Sequence, residues 1–265
     1  MSQMIQVLKG KRVLITRSAG QASEMIARVQ DYGGEAVTVP LMSYRFVPVP
    51  RDERTRWLDH VSRADLIILT SGNSVDFFMR TLDTPARIRG KRLAAVGRKT
   101  ARKLADAGLK NVYVPEKYTG KALGKALLTG TLHAERIVFP HGSLTDPSWI
   151  HDLKSHGFNV TERTLYETVP DLSQKERLAE IMRSGEMDAL TFASPSAVRF
   201  FTEMLNEETW KKALTASVVG AIGPSTAQSL DALGFAADVI PKYFTSVDLI
   251  DALANFYNKR KKSST

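Results

Sequence analysis

Hydroxyl side chains stand where apolar runs give way to amphipathic helical spacing, and they do so in matched pairs. Thr70-Ser71-Gly72-Asn73-Ser74 follows Leu66 to Leu69 and precedes Val75, Phe77 and Phe78; Ala193-Ser194-Pro195-Ser196 follows Leu190 and precedes Val198, Phe200 and Phe201. A serine at such a junction caps a helix, with backbone N–H groups of the first turn beyond it. Taken singly, each cap need do no more than stabilise its helix by about 1 kcal/mol. As a pair at the carboxyl ends of parallel strands, they also suit an anion, because helix N-termini there supply donors and partial positive charge. Gly97-Arg98-Lys99-Thr100 and Gly223-Pro224-Ser225-Thr226 repeat the design with a glycine ahead of the hydroxyls. The candidate anion-binding residues are therefore Ser71, Gly72, Asn73, Thr100, Ser194, Ser196, Ser225 and Thr226. A third pair sets Thr16-Arg17-Ser18 against Pro140-His141-Gly142-Ser143. Arg17 and His141 can each meet a carboxylate, or serve only as surface residues.

Other chemistry is scarce. The chain has no cysteine, so disulfides, thiolate metal sites and a cysteine nucleophile are excluded. His60, His133, His151 and His156 lack metal-ligand spacing, and the carboxylates form no evident acid and base pair; neither a metal nor a cofactor is expected. Neither glycine-led loop is a Walker loop or a dinucleotide fingerprint, which counts against a nucleotide-dependent α/β enzyme. Tyr166 sits in an extended stretch, as a packing residue or as a phenol facing a cleft.

The elements that position these residues repeat. Beyond the two serine turns, Leu104, Gly108, Pro115, Thr119, Leu123 and Leu127 return in register as Leu230, Gly234, Pro241, Thr245, Leu249 and Leu253. A repeat of this length is a folding unit, and 265 residues suffice for two cores. Arg12 to Thr16 reads as a strand and Ala22 to Tyr32 as a helix stopped by Gly33-Gly34. Four such strand and helix units start near Val13, Leu66, Ile137 and Leu190, with further strands at Leu93 to Val96 and Val218 to Ile222. The class is α/β, two similar parallel-sheet domains around a central cleft. The extended stretches ending at Pro48 and Pro170 match each other and read as interdomain connectors able to pair as a ribbon.

Hydrophobic residues make up 43% and charged residues 25%, as in ordinary globular proteins. The apolar runs are too short to cross a bilayer and Met1 to Lys11 lacks a secretory apolar core, so a cytoplasmic protein is expected. Part of the net charge of +9 lies in Lys259-Arg260-Lys261-Lys262, read as a solvated, frayed tail. The rest suits an anionic ligand, and no nucleic-acid motif accompanies it.

In the order and spacing of these motifs the sequence resembles the uroporphyrinogen-III synthases. The likeness runs from Val13 to about Leu253 and rests on Ile15-Thr16-Arg17, Thr70-Ser71-Gly72-Asn73-Ser74-Val75, Val96-Gly97-Arg98-Lys99-Thr100-Ala101, Leu165-Tyr166-Glu167-Thr168-Val169-Pro170 and Ile222-Gly223-Pro224-Ser225-Thr226-Ala227. Gly72 stands where the family often has proline, Ala193 where threonine is common, and His141 in a loop often bearing arginine. The resemblance implies two α/β domains joined by a two-stranded ribbon: residues 1-38 plus 172-257, then 49-162, with connectors 39-48 and 163-171 and a basic tail 258-265. It also implies a cofactor-free cyclisation of hydroxymethylbilane to uroporphyrinogen III, with inversion of the last ring, loss of water and a spiro intermediate. The substrate would be a polycarboxylate tetrapyrrole, Tyr166 would assist departure of hydroxide, and the hydroxyls would hold acetate and propionate arms. A monomer is expected, with transient contact to the preceding pathway enzyme and none to nucleic acid or membrane. The rival reading is a cytosolic two-domain binding protein for an anionic small molecule, which an isomer-resolved cyclisation assay separates.

Overall fold

Residues 6–263 are described in the computed structural model of the chain, so Ser264 and Thr265 of the expected basic tail lie outside them. Along the chain run β1 (Arg12–Ile15), α1 (Ala19–Asp31), β2 (Glu35–Thr38), β3 (Met42–Phe46), α2 (Arg51–Arg63), β4 (Leu66–Leu69), α3 (Gly72–Met79), β5 (Arg92–Ala95), α4 (Arg98–Asp106), β6 (Val112–Tyr113) and α5 (Gly120–Leu128). There follow β7 (Arg136–Gly142), α6 (Ser148–Ser155), β8 (Asn159–Pro170), α7 (Lys175–Ser184), β9 (Ala189–Phe192), α8 (Pro195–Met204), α9 (Glu207–Ala216), β10 (Val218–Ala221), α10 (Pro224–Asp231) and α11 (Ser246–Ser263).

These elements form two compact units, one of Met1–Ser43 with Val169–Thr265 and one of Tyr44–Thr168. The first carries a sheet in the order β10-β9-β1-β2, with every pairing parallel. The second carries the order β3-β8-β7-β4-β5-β6, parallel from β8 to β6. The central strand β4 is a continuous apolar run because helices cover both faces. Leu66, Ile67, Ile68 and Leu69 are all fully buried, Ile67 and Leu69 in one core cluster and Leu66 and Ile68 in the other. Val13, Leu14 and Ile15 divide in the same way between the two clusters of the first unit.

The two sheets share one topology. In the second unit β4 leads to β5 and β6 on one side and to β7 and β8 on the other. In the first, β9 leads to β10 on one side, and β1 and β2 occupy the places of β7 and β8. Even the edge strand has its counterpart, since the isolated bridge of Gly220 to Val239 repeats the pairing of Ala94 with Tyr113. The first unit is therefore the second with its last strand–helix–strand piece supplied by the N-terminal end of the chain.

Two expectations change at their edges. Helix α1 opens at Ala19, three residues ahead of the expected Ala22, because the Ser18 carbonyl already accepts from the N–H groups of Gln21 and Ala22. The expected frayed tail is helical through Ser263, the last turn of α11, with Arg260 lying 5.0 Å over the Phe256 ring. Basic side chains at a helix C-terminus oppose the partial negative charge there, which favours continuation of the helix. The second extended stretch is part of one long strand: β8 pairs with β7 from Asn159 opposite Arg136 to Tyr166 opposite Gly142, and β3 is its other neighbour.

Candidate active site

Strand order reverses between β4 and β7 in the second unit and between β9 and β1 in the first. Crevices outside the carboxyl ends of strands at such switch points are where open α/β sheets bind ligands. Ser71 follows β4, Gly142 ends β7, and Tyr166 lies beside Gly142 on β8, so the second unit brings two candidates, Ser71 and Tyr166, together.

Tyr166 is 6% exposed. Its ring stacks on Phe77 at 4.9 Å between centroids, and Tyr44 meets it edge-on at 5.8 Å. The third wall is Gly142, where a Cβ would come within 2.4 Å of the ring and 2.7 Å of the phenol oxygen. Glycine is required there by space, since any side chain would occupy the ring's position. The phenol oxygen lies 3.1 Å from Ser71 Oγ. Ser71 is itself locked: its Oγ accepts from the Ser74 N–H at 3.0 Å, while Ser74 Oγ accepts from the Ser71 N–H and donates to the Ser71 carbonyl. This capping box fixes the hydroxyl that aims at Tyr166. Burial raises the phenol's pKa, and the bond from Ser71 opposes that rise without cancelling it. At neutral pH Tyr166 is a protonated hydrogen-bond donor held by packing on three sides.

The remaining hydroxyls fall into two kinds. Ser194 caps α8, accepting from the Ala197 N–H at 3.2 Å, and its Oγ lies 3.0 Å from that of Ser196. In α4 and α10 the capping residues are Gly97 and Gly223, which provide no side-chain cap. In α10 Pro224 brings no N–H, and the Thr226 N–H donates to the Gly223 carbonyl at 3.1 Å. Thr100 and Thr226 are buried in the third helical position, and Ser225 is exposed. Gly72 and Asn73 are half-buried in the first turn of α3, where a Cβ on Gly72 would touch only the flexible Lys103 side chain at 3.4 Å. Gly142 is what reading the hydroxyls overlooked. Its signal is a glycine closing a buried strand.

Arg17 follows β1, the strand beside β9, and His141 lies near the end of β7; each is held by neighbours of its own. Arg17 donates to Ser246 Oγ at 2.7 Å and to Gln21 at 3.2 Å, tying the start of α1 to the start of α11. His141 stacks on Phe139 at 5.0 Å, with Nδ1 3.0 Å from the Gly142 carbonyl and Nε2 3.9 Å from Glu162. Alternation along β7 puts it with Phe139 on one sheet face, whereas Val138 and Tyr166 belong to the core cluster of the other.

The family model for uroporphyrinogen-III synthase HemD matches residues 23–261, nearly the whole chain. The chain belongs to the uroporphyrinogen-III synthase family. It is 29% identical over 252 residues to a uroporphyrinogen-III synthase of Chlorobaculum parvum, an alignment covering 92% of this chain and 98% of that one. Among solved structures, a mutant uroporphyrinogen III synthase of the extremely thermophilic bacterium Thermus thermophilus superposes with a TM-score of 0.60 at 23% identity, covering 94% of this chain and 99% of that one. The uroporphyrinogen-III synthetase of Helicobacter pylori gives 0.59 at 16% identity over 96% and 99%. At such identities these two likenesses speak for the fold, which is the two-unit α/β fold of the family. No helix among the described residues is long and apolar enough to cross a membrane.

Proposed function

We propose that the chain closes hydroxymethylbilane into uroporphyrinogen III, inverting the last pyrrole ring and releasing water. The observation that carries the reading, alongside family membership, is the buried, protonated phenol of Tyr166 fixed at a switch point beside the Ser71-capped start of α3. Electron density from a pyrrole nitrogen of the substrate breaks its carbon–oxygen bond. The Tyr166 O–H donates a hydrogen bond to the departing hydroxide, which a phenol raised in pKa does while remaining protonated; the hydroxide becomes water with the proton that the unsubstituted carbon of the last ring gives up on reclosing. The resulting electrophilic methylene then meets the substituted carbon of the far ring, forming a spiro intermediate that reopens and recloses with that ring inverted. A free tetrapyrrole can also close without inversion, so the protein's task is to hold the chain in the geometry that favours the substituted carbon, which is catalysis by orientation.

The eight carboxylates of the substrate call for many donors. The hydroxyls of Ser71, Thr100, Ser194 and Thr226, with neighbouring backbone N–H groups, take those arms, in a chain of net charge +9. Because most donors are backbone groups, single hydroxyl deletions cost only about 1 kcal/mol each.

The decisive experiment resolves the two product isomers formed from hydroxymethylbilane with and without protein. Wild-type protein is expected to yield the inverted isomer, and Tyr166→Phe to lower kcat by about a hundredfold with KM changed far less. An isomer mixture the same as in buffer alone overturns the reading; full turnover by Tyr166→Phe removes the phenol from the chemistry.

A further inference from the structure

Two aromatic rings stand exposed at equivalent places in the two units, and the reaction as proposed does not yet use them. Tyr118 is 51% exposed and Phe244 60% exposed. Each is the middle residue of a tight turn leading into a helix: the Thr119 N–H donates to the Lys117 carbonyl at 2.8 Å, and the Thr245 N–H to the Tyr243 carbonyl at 2.8 Å. Each turn is then closed by a threonine cap. Thr119 Oγ1 accepts from the Ala122 N–H at 3.2 Å, and Thr245 Oγ1 from the Asp248 N–H at 3.2 Å.

Each ring also lies against one of the glycine caps. A Cβ added to Gly97 would sit 3.8 Å from the Tyr118 ring, and one added to Gly223 3.3 Å from the Phe244 ring. An uncapped helix N-terminus and the side of an aromatic ring are therefore neighbours in both units. Rings shielding only their own glycine would have no need to leave half their surface in water.

Resting on the cyclisation reading, we propose that Tyr118 and Phe244 are stacking platforms for pyrrole rings of the substrate. A pyrrole bearing acetate and propionate arms has an apolar π-face and an anionic rim. The platform and the cap beside it present the matching pair, an aromatic face next to backbone N–H donors. Hydrogen bonds alone hold the arms but leave the ring planes free to turn. A stacked ring fixes the plane, and the plane decides which carbon of the last ring is presented for attack. Tyr118 and Phe244 thus serve as positioning residues, acting on product geometry as well as on affinity.

The test compares Tyr118→Ala, Phe244→Ala and the double variant with Tyr118→Phe and Phe244→Tyr, using hydroxymethylbilane and resolving both isomers. Leu128→Ala, removing an exposed apolar side chain from the far end of α5, is the surface control. Each alanine variant is expected to raise KM about five- to tenfold, with Tm held and with more non-inverted product in the double variant. The aromatic swaps and the control are expected to match wild type. Unchanged KM and isomer ratio in an active double variant overturn the platforms while sparing the cyclisation reading. So does a fall in Tm with both unchanged, which assigns the rings to structure. Failure of wild-type protein to alter the isomer ratio overturns the cyclisation reading and the platforms with it.

Discussion

At the scale of single residues, the site is a slot cut for one phenol. Tyr166 is held by Phe77 on one face, by the missing side chain of Gly142 on the other, and by the Ser71 hydroxyl at its tip. Gly142→Ala puts a methyl 2.4 Å from the ring, closer than carbon atoms tolerate, and the neighbour is a ring hemmed in by Phe77 and Tyr44. The ring must tilt or β7 must move, so the substitution is expected to cost about 1–3 kcal/mol in denaturant unfolding and to lower kcat toward that of Tyr166→Phe. Wild-type kcat with intact stability would show that the slot has slack. Tyr166 itself was legible from its motif, as was the cap at Ser71. Gly142 was not, because the need for a glycine there arises from a ring on the neighbouring strand, 24 residues later in sequence, and pairing register is invisible to local pattern.

Elements show a division between what periodicity reveals and what it hides. Strands β4 and β9 and helices α1, α3 and α8 stand out because apolar residues mark their period. Helix α2 hides, since only Trp57 and Val61 along Arg51–Arg63 are buried and the other residues are mostly charged. Strand β7 starts at a charged junction that periodicity also misses. Asp65, just ahead of β4, accepts from the N–H groups of Arg136 and Glu135 and pairs with the Arg136 guanidinium at 2.9 Å. The side-chain bond from Arg136 is the main cause of a carboxyl pKa lowered to about 2, with the Arg136 backbone N–H next. A depressed folded pKa means stability that is fully present above the usual value of 3.8 and lost as pH falls through about 2. Wild type and Asp65→Asn should therefore differ in stability at pH 7 by roughly 1 kcal/mol or less, given a carboxylate 26% exposed and screened by water. The gap should narrow between pH 4 and pH 2. A gap independent of pH across that range would mean that the backbone bonds, which asparagine keeps in part, carry the junction.

For the whole molecule the consequence lies in how the chain is cut. The repeat was legible because the serine turns, the glycine-led turns and the leucines after them keep their order; which strand joins which sheet was not, because pairing partners far apart in sequence leave no local mark. In the first unit β1 is a central strand between β9 and β2, and its Val13, Leu14 and Ile15 are wholly buried. The second unit is one continuous stretch with a core cluster on each side of its sheet, within the size range of domains that fold alone. Removing residues 1–41 should therefore unfold the first unit and leave the second folded. Tryptophan reports on each: Trp210, packed edge-on against Phe235, belongs to the first unit, and the buried Trp57 and Trp149 to the second. In truncated chains carrying a single tryptophan, emission from Trp210 should shift to the red as in denaturant, while Trp57 and Trp149 keep their native emission and a cooperative melt. Native emission from Trp210 without β1 would mean that β9 and β10 close a core unaided. Loss of native emission from Trp57 and Trp149 would mean that the second unit folds only when the N-terminal strand has completed the first.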